Sequence, residues 1–475
     1  MMLWKQSDCA HNKKETANDM IKSYVIDTNV LIQAPYALQC FEENHVILPL
    51  VVLEELDGLK KADGERGANA RRAIRFLEAL RLRGDLLKGV PLPEGGLLRV
   101  EPNCVDVALP DNMPENQADN RILKVCKGVD RPRRRAVLVT KDLVLRVKAQ
   151  LMGIEAQDFC REQVMPEDTQ YEGRVSCYAP EGMFSSFKKS GIPLSSLYQC
   201  DEVGNQQPLN FVENEFVVLQ ADCSAKKTQL GRVSGERVVP LNYRKAAPYG
   251  VKPRNAGQFF MQEALMQPAK EAPLVIVKGR AGTAKTFYAL AVGLEKILNA
   301  PTGEYRRILI CRPNAQFDAD IGFLPGDEQE KISPLMRPII DNLEQLIDSN
   351  PEERYRDEAA LRDKIEEIFA RGVIQTEAMN FIRGRSFVNT YLIIDEAQNM
   401  TPNQVKGIIT RAGAGTKIIL LGDPNQIDRP FLDERTNGLS YASEHMKGSP
   451  LCWQLSMTAE ECERSPLALD AITRL

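Results

Sequence analysis

Short apolar runs alternate with helical stretches between residues 23 and 160. Residues 24–26 and 136–140 are typical of short buried β-strands. The run 46–53 combines another strand with the beginning of a helix, and residues 68–83 place their apolar side chains on one helical face. Strands that alternate with helices predict an α/β domain with a parallel sheet.

The pattern changes in the middle of the chain. Residues 165–250 hold short β-type runs separated by Gly, Asn and Pro, with little helical periodicity. The α/β alternation then returns, with four apolar runs at 274–277, 308–310, 391–394 and 418–421. Residues 342–371 are helical in pattern and rich in Glu, Asp and Arg, which predicts an exposed insertion.

We therefore predict an α/β protein made of four parts. These are a polar tail at 1–22, an α/β/α domain at 23–160, a small β-rich module at 161–250 and a second α/β domain at 251–475. The composition agrees, because 43% hydrophobic and 27% charged residues are typical of a globular protein. The longest apolar run, 46–53, is too short to cross a membrane, and we expect no membrane partner.

Charge and side-chain counts narrow the possible chemistry. A net charge of −4 excludes attraction of the whole surface to nucleic acid, although a local basic patch remains possible. Three His far apart in sequence argue against a His-rich metal site, and the 11 Cys include no CxxC pair. We expect reduced, mostly buried thiols, no secretory leader and a cytoplasmic location.

Four acids stand at the ends of predicted elements in the first α/β domain: Asp27, Glu55, Asp119 and Asp142. Ligands of parallel α/β sheets bind beyond the carboxyl ends of the strands, so these acids are candidates for a single site. Oxygen ligands suit Mg²⁺ or Mn²⁺, which activate water to hydrolyse phosphodiesters. Each acid also has a simpler role, as a turn or helix cap or as a surface acid in a first helical turn.

The surrounding residues resemble a PIN domain over about 23–160. The resemblance rests on Tyr24–Leu31, Val52–Leu59, Ala118–Leu123 and Leu138–Arg146, in that order. It implies that Asp27, Glu55, Asp119 and Asp142 bind Mg²⁺ or Mn²⁺ and cleave single-stranded RNA. Glu54 is a less favoured alternative to Glu55, and Thr140 and Asn29 would support the acids.

A phosphate-binding loop is predicted in the second α/β domain. Its eight residues follow the strand at 274–277: Gly279, Arg280, Ala281, Gly282, Thr283, Ala284, Lys285 and Thr286. They match the template G-x-x-x-x-G-K-[ST], in which backbone N–H groups cradle phosphate, the Lys reaches the β- and γ-phosphates and the hydroxyl binds Mg²⁺. Ala284 replaces the second template Gly, where a side chain could crowd the nucleotide or strain a left-handed backbone.

Two later strands end in polar residues that fit the same chemistry. Asp395 would hold Mg²⁺ through water, and Glu396 would act as general base on the attacking water. Gln426, in the turn after the strand at 418–421, could sense the γ-phosphate. The simpler alternatives are a helix start after a strand and an ordinary turn.

These motifs together resemble the PhoH family, which is related to superfamily 1 helicases. The resemblance covers about 250–475 and implies a RecA-like P-loop ATPase domain that uses ATP and acts on RNA. It also implies a ring, plausibly a hexamer, in which Arg464 could stabilise transition-state charge in a neighbouring subunit. Gln258 could read adenine. An ordinary surface Arg and a loop amide are the alternatives for these two residues.

A basic path for RNA is also a candidate. Arg131, Arg133, Arg134 and Arg135 precede the strand at 136–140, and five more arginines lie on or just beyond the helix predicted at 68–83: Arg71, Arg72, Arg75, Arg81 and Arg83. The sequence hypothesis is an ATP-driven RNA helicase or translocase coupled to a metal-dependent ribonuclease. The alternatives are a ribonuclease with a nucleotide-binding scaffold and an ATP-gated RNA-binding factor without catalysis.

Overall fold

The computed structural model describes residues 21–41, 43–62, 64–92, 95–102, 104, 106–110, 113–132, 134–159, 164, 170–201, 205–222, 224–299, 303–313, 328–348, 358–377, 379, 386–429 and 432–463. The chain divides into two compact units, Met1–Glu162 and Gln163–Leu475. Most of the predicted N-terminal tail, residues 1–20, lies outside the described residues. No described helix is both long enough and apolar enough to span a membrane.

The N-terminal unit is built on a six-stranded sheet in the order β3-β4-β2-β1-β5-β6. Its strands are β1 (Ser23–Ile26), β2 (His45–Pro49), β3 (Val90–Pro91), β4 (Leu97–Glu101), β5 (Ala136–Val139) and β6 (Glu155–Gln157). Its helices are α1 (Thr28–Gln33), α2 (Leu50–Leu59), α3 (Gly64–Arg81), α4 (Ala118–Val129) and α5 (Leu143–Leu151). Neighbouring strands are parallel except β3 and β4.

The two central strands explain where the acids lie. All four residues of β5 are buried, as expected for a parallel strand covered on both faces. β1 pairs with β5 so that Ile26 lies opposite Val139. The next residues, Asp27 and Thr140, therefore leave the sheet side by side at the same edge.

The second unit contains a mixed seven-stranded sheet in the order β10-β9-β7-β11-β12-β13-β8. Its strands are β7 (Arg174–Ala179), β8 (Ile192–Pro193), β9 (Tyr198–Cys200), β10 (Gln206–Pro208), β11 (Phe216–Ala221), β12 (Ser224–Ser234) and β13 (Arg237–Pro240), with one short helix, α6 (Phe187–Ser190). β7 and β11 are parallel, and the other pairs are antiparallel.

The same unit contains a parallel six-stranded sheet in the order β16-β15-β17-β18-β14-β19. Its strands are β14 (Leu274–Lys278), β15 (Arg307–Cys311), β16 (Ile374–Thr376), β17 (Thr390–Ile394), β18 (Lys417–Gly422) and β19 (Cys452–Ser456). The helices are α7 (Ala256–Met266), α8 (Lys285–Leu294), α9 (Glu328–Asp348), α10 (Glu358–Ala370), α11 (Pro402–Ile409) and α12 (Gly438–His445). The carboxyl ends of β14, β18 and β17 are neighbours.

The two sheets of this unit share one core. Phe216 of β11 stacks on Phe260 of α7 with ring centroids 4.8 Å apart and meets the edge of Trp453 in β19 at 6.1 Å. The guanidinium of Arg232 in β12 lies 4.3 Å from the centre of the Trp453 ring. The β-rich sheet is therefore packed onto the parallel sheet, and the α/β fold class is confirmed.

Two expectations from the pattern need correction. The described parts of the charged stretch at 342–371 are mostly helical, at 342–348 and 358–370, but they are not simply exposed, because Leu343 and Ile365 are buried in the main core. The thiols are also less buried than expected: of the eight described free cysteines, four are buried.

Candidate functional site

Asp27 lies buried at the carboxyl end of β1. One carboxylate oxygen accepts a hydrogen bond from the Thr28 N–H at 2.6 Å, and the other accepts one from the Thr140 hydroxyl at 2.6 Å. The pKa of Asp27 is raised from 3.8 to about 6, mainly by burial, with smaller contributions from the carboxylates of Asp119 and Glu55 and against the lowering effect of these two hydrogen bonds. The structure thus brings Asp27 within electrostatic reach of two other candidate acids.

The other candidate acids have partners of different kinds. The Thr28 hydroxyl donates to Glu55, and Lys148 of α5 pairs with Asp119 at 3.1 Å. Asp142 caps α5 by accepting from the N–H groups of Val144 and Leu145 at 2.7 and 3.2 Å. Asp27 also caps α1 through its Thr28 bond. The simpler capping role is therefore present for two of the four acids.

Neighbouring polar residues hold this edge of the sheet. The Asn29 side-chain amide donates to the Thr140 hydroxyl at 3.2 Å, and its oxygen accepts from the Lys141 N–H at 3.1 Å. The same Thr140 oxygen accepts from the N–H of Asp142 at 3.0 Å. Glu54, by contrast, points to Arg121 at 3.2 Å.

The donor chemistry of these acids suits a hard divalent cation. The acids offer only oxygen ligands, and the pKa of Asp27 is raised chiefly by burial and in smaller part by the nearby negative charges of Asp119 and Glu55. Within the described residues, no three His, Cys, Asp or Glu side chains surround one point closely enough to hold a metal ion. Asp27, Glu55, Asp119 and Asp142 would hold such an ion only after their side chains move closer together.

The predicted arginines that precede β5 do not reach this edge. Arg131 and Arg134 form a bridge before β5, and Arg135 directly precedes it, at the opposite end of the strand from Thr140. Four residues at about 3.3 Å each separate the two ends. Arg135 pairs with Asp130 at 2.8 Å, and Arg134 lies 3.3 Å from His45. These arginines do not line the acids; Arg133 is outside the described residues.

The phosphate loop lies where the template requires, between β14 and α8. The Gly279 N–H donates to the Gly422 carbonyl at 3.0 Å, which joins the loop to the end of β18. The Lys285 ammonium donates to carbonyl groups of the loop, including that of Arg280 at 3.0 Å. Burial lowers the pKa of Lys285, whereas Asp423, Asp395 and Glu396 raise it, so one cation lies among several carboxylates.

Ala284 adopts the left-handed conformation that the template glycine would adopt, with φ 62° and ψ 24°. A side chain in this conformation costs about 1–2 kcal/mol, so the sequence departure carries a strain. Gly282 also has a positive φ of 89°. The loop has therefore the backbone of a phosphate loop although one of its glycines is missing.

The structure brings Thr286 and Asp395 together. The Thr286 hydroxyl donates to the Asp395 carboxylate at 2.9 Å, although 109 residues separate them. Burial, and next the charge of Glu396, raises the pKa of Asp395, and Arg312 opposes this increase. The arrangement matches the pair of groups that holds Mg²⁺ in P-loop enzymes.

Two residues with no assigned role hold Glu396. Arg312, at the end of β15, donates to its carboxylate at 3.0 Å. The buried Gln398 donates to Glu396 at 2.6 Å and to the Gln426 carbonyl at 2.8 Å, and its oxygen accepts from the Asp423 N–H at 3.1 Å. Glu396 is thereby connected to the turn that carries Gln426, whose side chain is exposed. Neither pairing could be foreseen from the sequence.

Gln258 is buried at the start of α7, and its amide is already bonded. Its oxygen accepts from the Arg254 N–H at 2.9 Å, and its nitrogen donates to Glu463 at 3.0 Å. The N–H of Glu463 in turn donates to the Gly282 carbonyl in the phosphate loop at 2.9 Å. Arg464, the next residue, lies outside the described residues.

Comparison with known proteins identifies both units. Residues 24–160 match a family model described as PIN domain, and residues 250–474 match one described as PhoH-like protein. The chain thus joins a PIN domain, of the nuclease class, to a nucleotide-binding domain of the ATPase class.

Similar proteins share this whole arrangement. Protein PhoH2 of Bacillus subtilis is 38% identical over 460 residues, which cover 94% of this chain and 98% of that protein. Protein PhoH2 of Thermobispora bispora is 31% identical over 450 residues, covering 94% and 95%. The chain belongs to the PhoH2 family of PIN–PhoH fusion proteins.

Proposed function

We propose that this protein is an ATP-dependent RNA helicase or translocase coupled to a metal-dependent endoribonuclease that cleaves single-stranded RNA. The observation that supports it is that one chain carries two acidic sites, each at the carboxyl ends of parallel strands. One adjoins a phosphate loop, with Thr286 bonded to Asp395 at 2.9 Å. The other is the Asp27 site, where burial, and in smaller part the neighbouring carboxylates, raise the pKa of the acid.

In the ATPase domain, Lys285 and the N–H groups of the loop at 279–286 bind the phosphates. Thr286 and Asp395 hold Mg²⁺, which neutralises charge on the phosphates when bound. Glu396 orients and deprotonates the attacking water, and Arg312 and Gln398 keep its carboxylate in place. Gln426 senses the γ-phosphate.

Two roles at the rim of this site belong to the same proposal. Gln258 reads adenine by exchanging its bond to Glu463 for one to the base. Arg464 acts across subunits of a hexameric ring, which sedimentation of the full chain with and without ATP would test. The functional parts would be a tail at 1–22, a nuclease domain at 23–160, a β-rich module at 161–250 and an ATPase domain at 251–475.

In the nuclease domain, the four acids hold Mg²⁺ or Mn²⁺, which supplies a nucleophilic hydroxide when bound. Asp27 supplies the buried carboxylate, and Thr140 orients it through the 2.6 Å hydrogen bond. Glu55, Asp119 and Asp142 would provide the other oxygen ligands of this ion, and the substrate would be a single-stranded RNA.

The proposal is tested by cleavage of an end-labelled RNA that carries a duplex block. Wild type, Asp27→Asn and Lys285→Ala are compared with Mg²⁺ or Mn²⁺, with and without ATP. The coupled function predicts that ATP lets the wild type cut past the block and that each variant loses this cleavage. Lys285→Ala should still cut RNA ahead of the block, which separates the motor from the nuclease.

A second candidate is a metal ribonuclease whose ATPase domain binds nucleotide but hydrolyses it weakly. The left-handed Ala284 favours it, because a methyl group there lies in the phosphate loop. ATP affinity without phosphate release, and cleavage indifferent to ATP and to Lys285→Ala, would support this candidate. Absence of cleavage with either metal would instead favour an RNA-binding factor.

A further inference from the structure

The segment 458–463, which follows β19, lies directly against the phosphate loop. The Cys462 thiol lies 3.2 Å from the Ala281 carbonyl, and the Glu463 N–H donates to the Gly282 carbonyl at 2.9 Å. Just before it, Met457 fills the space that a side chain at Gly279 would need, with its Cβ 2.7 Å from that position. Displacement of this segment would therefore change the backbone that surrounds the phosphates.

The same segment holds the beginning of α7. The Glu461 carboxylate accepts the Gly257 N–H at 2.7 Å and, through its other oxygen, the Thr458 N–H at 3.0 Å. Gly257 precedes Gln258, which donates to Glu463 at 3.0 Å. The buried Glu461 and the more exposed Glu463 thus connect the phosphate loop to the start of α7.

The positive charge that Glu461 requires comes from the β-rich sheet. Arg174, the first residue of β7, donates to the Glu461 carboxylate at 2.7 Å, and the two side chains are 12% and 8% exposed. The guanidinium also lies 5.4 Å from the centre of the Phe260 ring in α7. A buried carboxylate without its cation is strongly destabilised and would turn towards water.

The preceding residues of the β-rich part reach the other side of the loop. The Lys278 ammonium, immediately before Gly279, donates to the Tyr171 carbonyl at 2.9 Å. The Ser456 N–H donates to the Glu172 carbonyl at 2.6 Å. Residues 171–174 therefore support the strand that enters the phosphate loop and the segment that packs on the loop.

We infer that Arg174 is a positioning residue for nucleotide binding: through Glu461 it holds the 458–463 segment against the phosphate loop and the start of α7. The β-rich module is then part of the nucleotide site and not only a spacer between two enzymes. This inference rests on the proposed ATP binding. It assigns to Arg174 no contact with the nucleotide.

The test compares Arg174→Ala and Arg174→Lys with wild type in the full chain. A fluorescent ATP analogue gives Kd, and phosphate release gives KM and kcat. Loss of one charge-assisted bond predicts that Arg174→Ala raises Kd and KM about tenfold and changes kcat less than about threefold. Arg174→Lys should recover most of the affinity, because an ammonium can replace the single contact to Glu461.

Arg232→Ala is the matched control. Arg232 is also a buried arginine of the β-rich sheet, and it packs on Trp453 in β19 and donates to Asn214 at 2.8 Å. Arg232 supports the docking of the two sheets at a place that is away from the 458–463 segment. The Kd of Arg232→Ala for ATP should therefore stay within about twofold of wild type. Thermal unfolding of each variant shows whether the chain is folded.

Four results would overturn the inference. In the first, Arg174→Ala is folded and binds ATP as tightly as the wild type does. In the second, Arg232→Ala weakens ATP binding as much as Arg174→Ala does, which would mean that both arginines act only through the docking of the two sheets. If Arg174→Ala does not fold, Gly257→Ala replaces it in the test, because the new methyl group would lie 2.4 Å from the Glu461 carboxylate. An unchanged ATP affinity of Gly257→Ala would be the third result against the inference. Absence of ATP binding by the wild type would contradict the proposed function, and the inference with it.

Discussion

The two acidic sites differ in how their charges are balanced. At the phosphate loop, the carboxylates of Asp395 and Glu396 are near two cations, Lys285 and Arg312, and Thr286 is already bonded to Asp395. At the PIN site, Asp27 is buried near the carboxylates of Asp119 and Glu55, and Asp119 forms an ion pair with Lys148. The protein's own cations balance the carboxylates of the first site, whereas the proposed function assigns this balance at the second site to a divalent cation from solution.

The first prediction removes the balancing charge from the ATP site. Arg312→Ala should lower ATP turnover about a hundredfold, because Glu396 loses its 3.0 Å partner and the nearby Asp395 loses a charge that lowers its pKa. Phosphate release measures this. Arg371→Ala is the control, since that arginine pairs with Glu367 on the surface. Normal turnover in Arg312→Ala would mean that the carboxylates do not need this cation.

The second prediction concerns pH at the PIN site, in the absence of metal. In the folded protein the pKa of Asp27 is about 6, against an ordinary value of 3.8. Between these two pH values the folded state therefore binds a proton that the unfolded state has lost. The free energy of unfolding should therefore fall as the pH rises from about 4 to about 6, by about 2–3 kcal/mol in total. Asp27→Asn should lack this loss.

Urea unfolding of the full chain in EDTA, from pH 4.5 to 7.5, measures the difference. Asp57→Asn is the control, because Asp57 is exposed and pairs with Lys60 on the surface. Mn²⁺ added at pH 7.5 should stabilise the wild type and not Asp27→Asn. If the free energies of unfolding of wild type and Asp27→Asn change in parallel with pH, the pKa of Asp27 is not raised in the folded protein.

Much of the fold follows from the sequence, because parallel strands buried on both faces are continuous apolar runs. The four runs predicted after residue 251 correspond to β14, β15, β17 and β18. β19 was missed, since its polar Gln454 interrupts the pattern. That glutamine is buried and accepts a hydrogen bond from Ser443 at 2.8 Å, so a tertiary contact allows it in the strand.

The two candidate sites, like the fold, could be predicted from the sequence only in part. Motif spacing predicted the loop that leads from β14 to Thr286 and the strand end that carries Asp395, because strand order alone can bring them together. The pairing of Arg312 and Gln398 with Glu396, and of Lys148 with Asp119, depends on side-chain directions that spacing does not contain. The arginines before β5 show the limit most clearly: they are close to Asp142 in sequence but lie at the opposite end of the strand.

The smallest expected effect concerns the strain at Ala284. Ala284→Gly removes about 1–2 kcal/mol of left-handed strain, and the greater freedom of glycine in the unfolded chain offsets about 0.5–1 kcal/mol of this gain. The free energy of unfolding should rise by about 0.5–1 kcal/mol, with kcat for ATP changed less than about threefold. Ala281→Gly is the control in the same loop, where φ is not positive, and it should lower stability. A tenfold increase in turnover for Ala284→Gly would mean that the wild-type loop restrains hydrolysis. This result would favour the second candidate function, in which the ATPase domain binds nucleotide but hydrolyses it weakly.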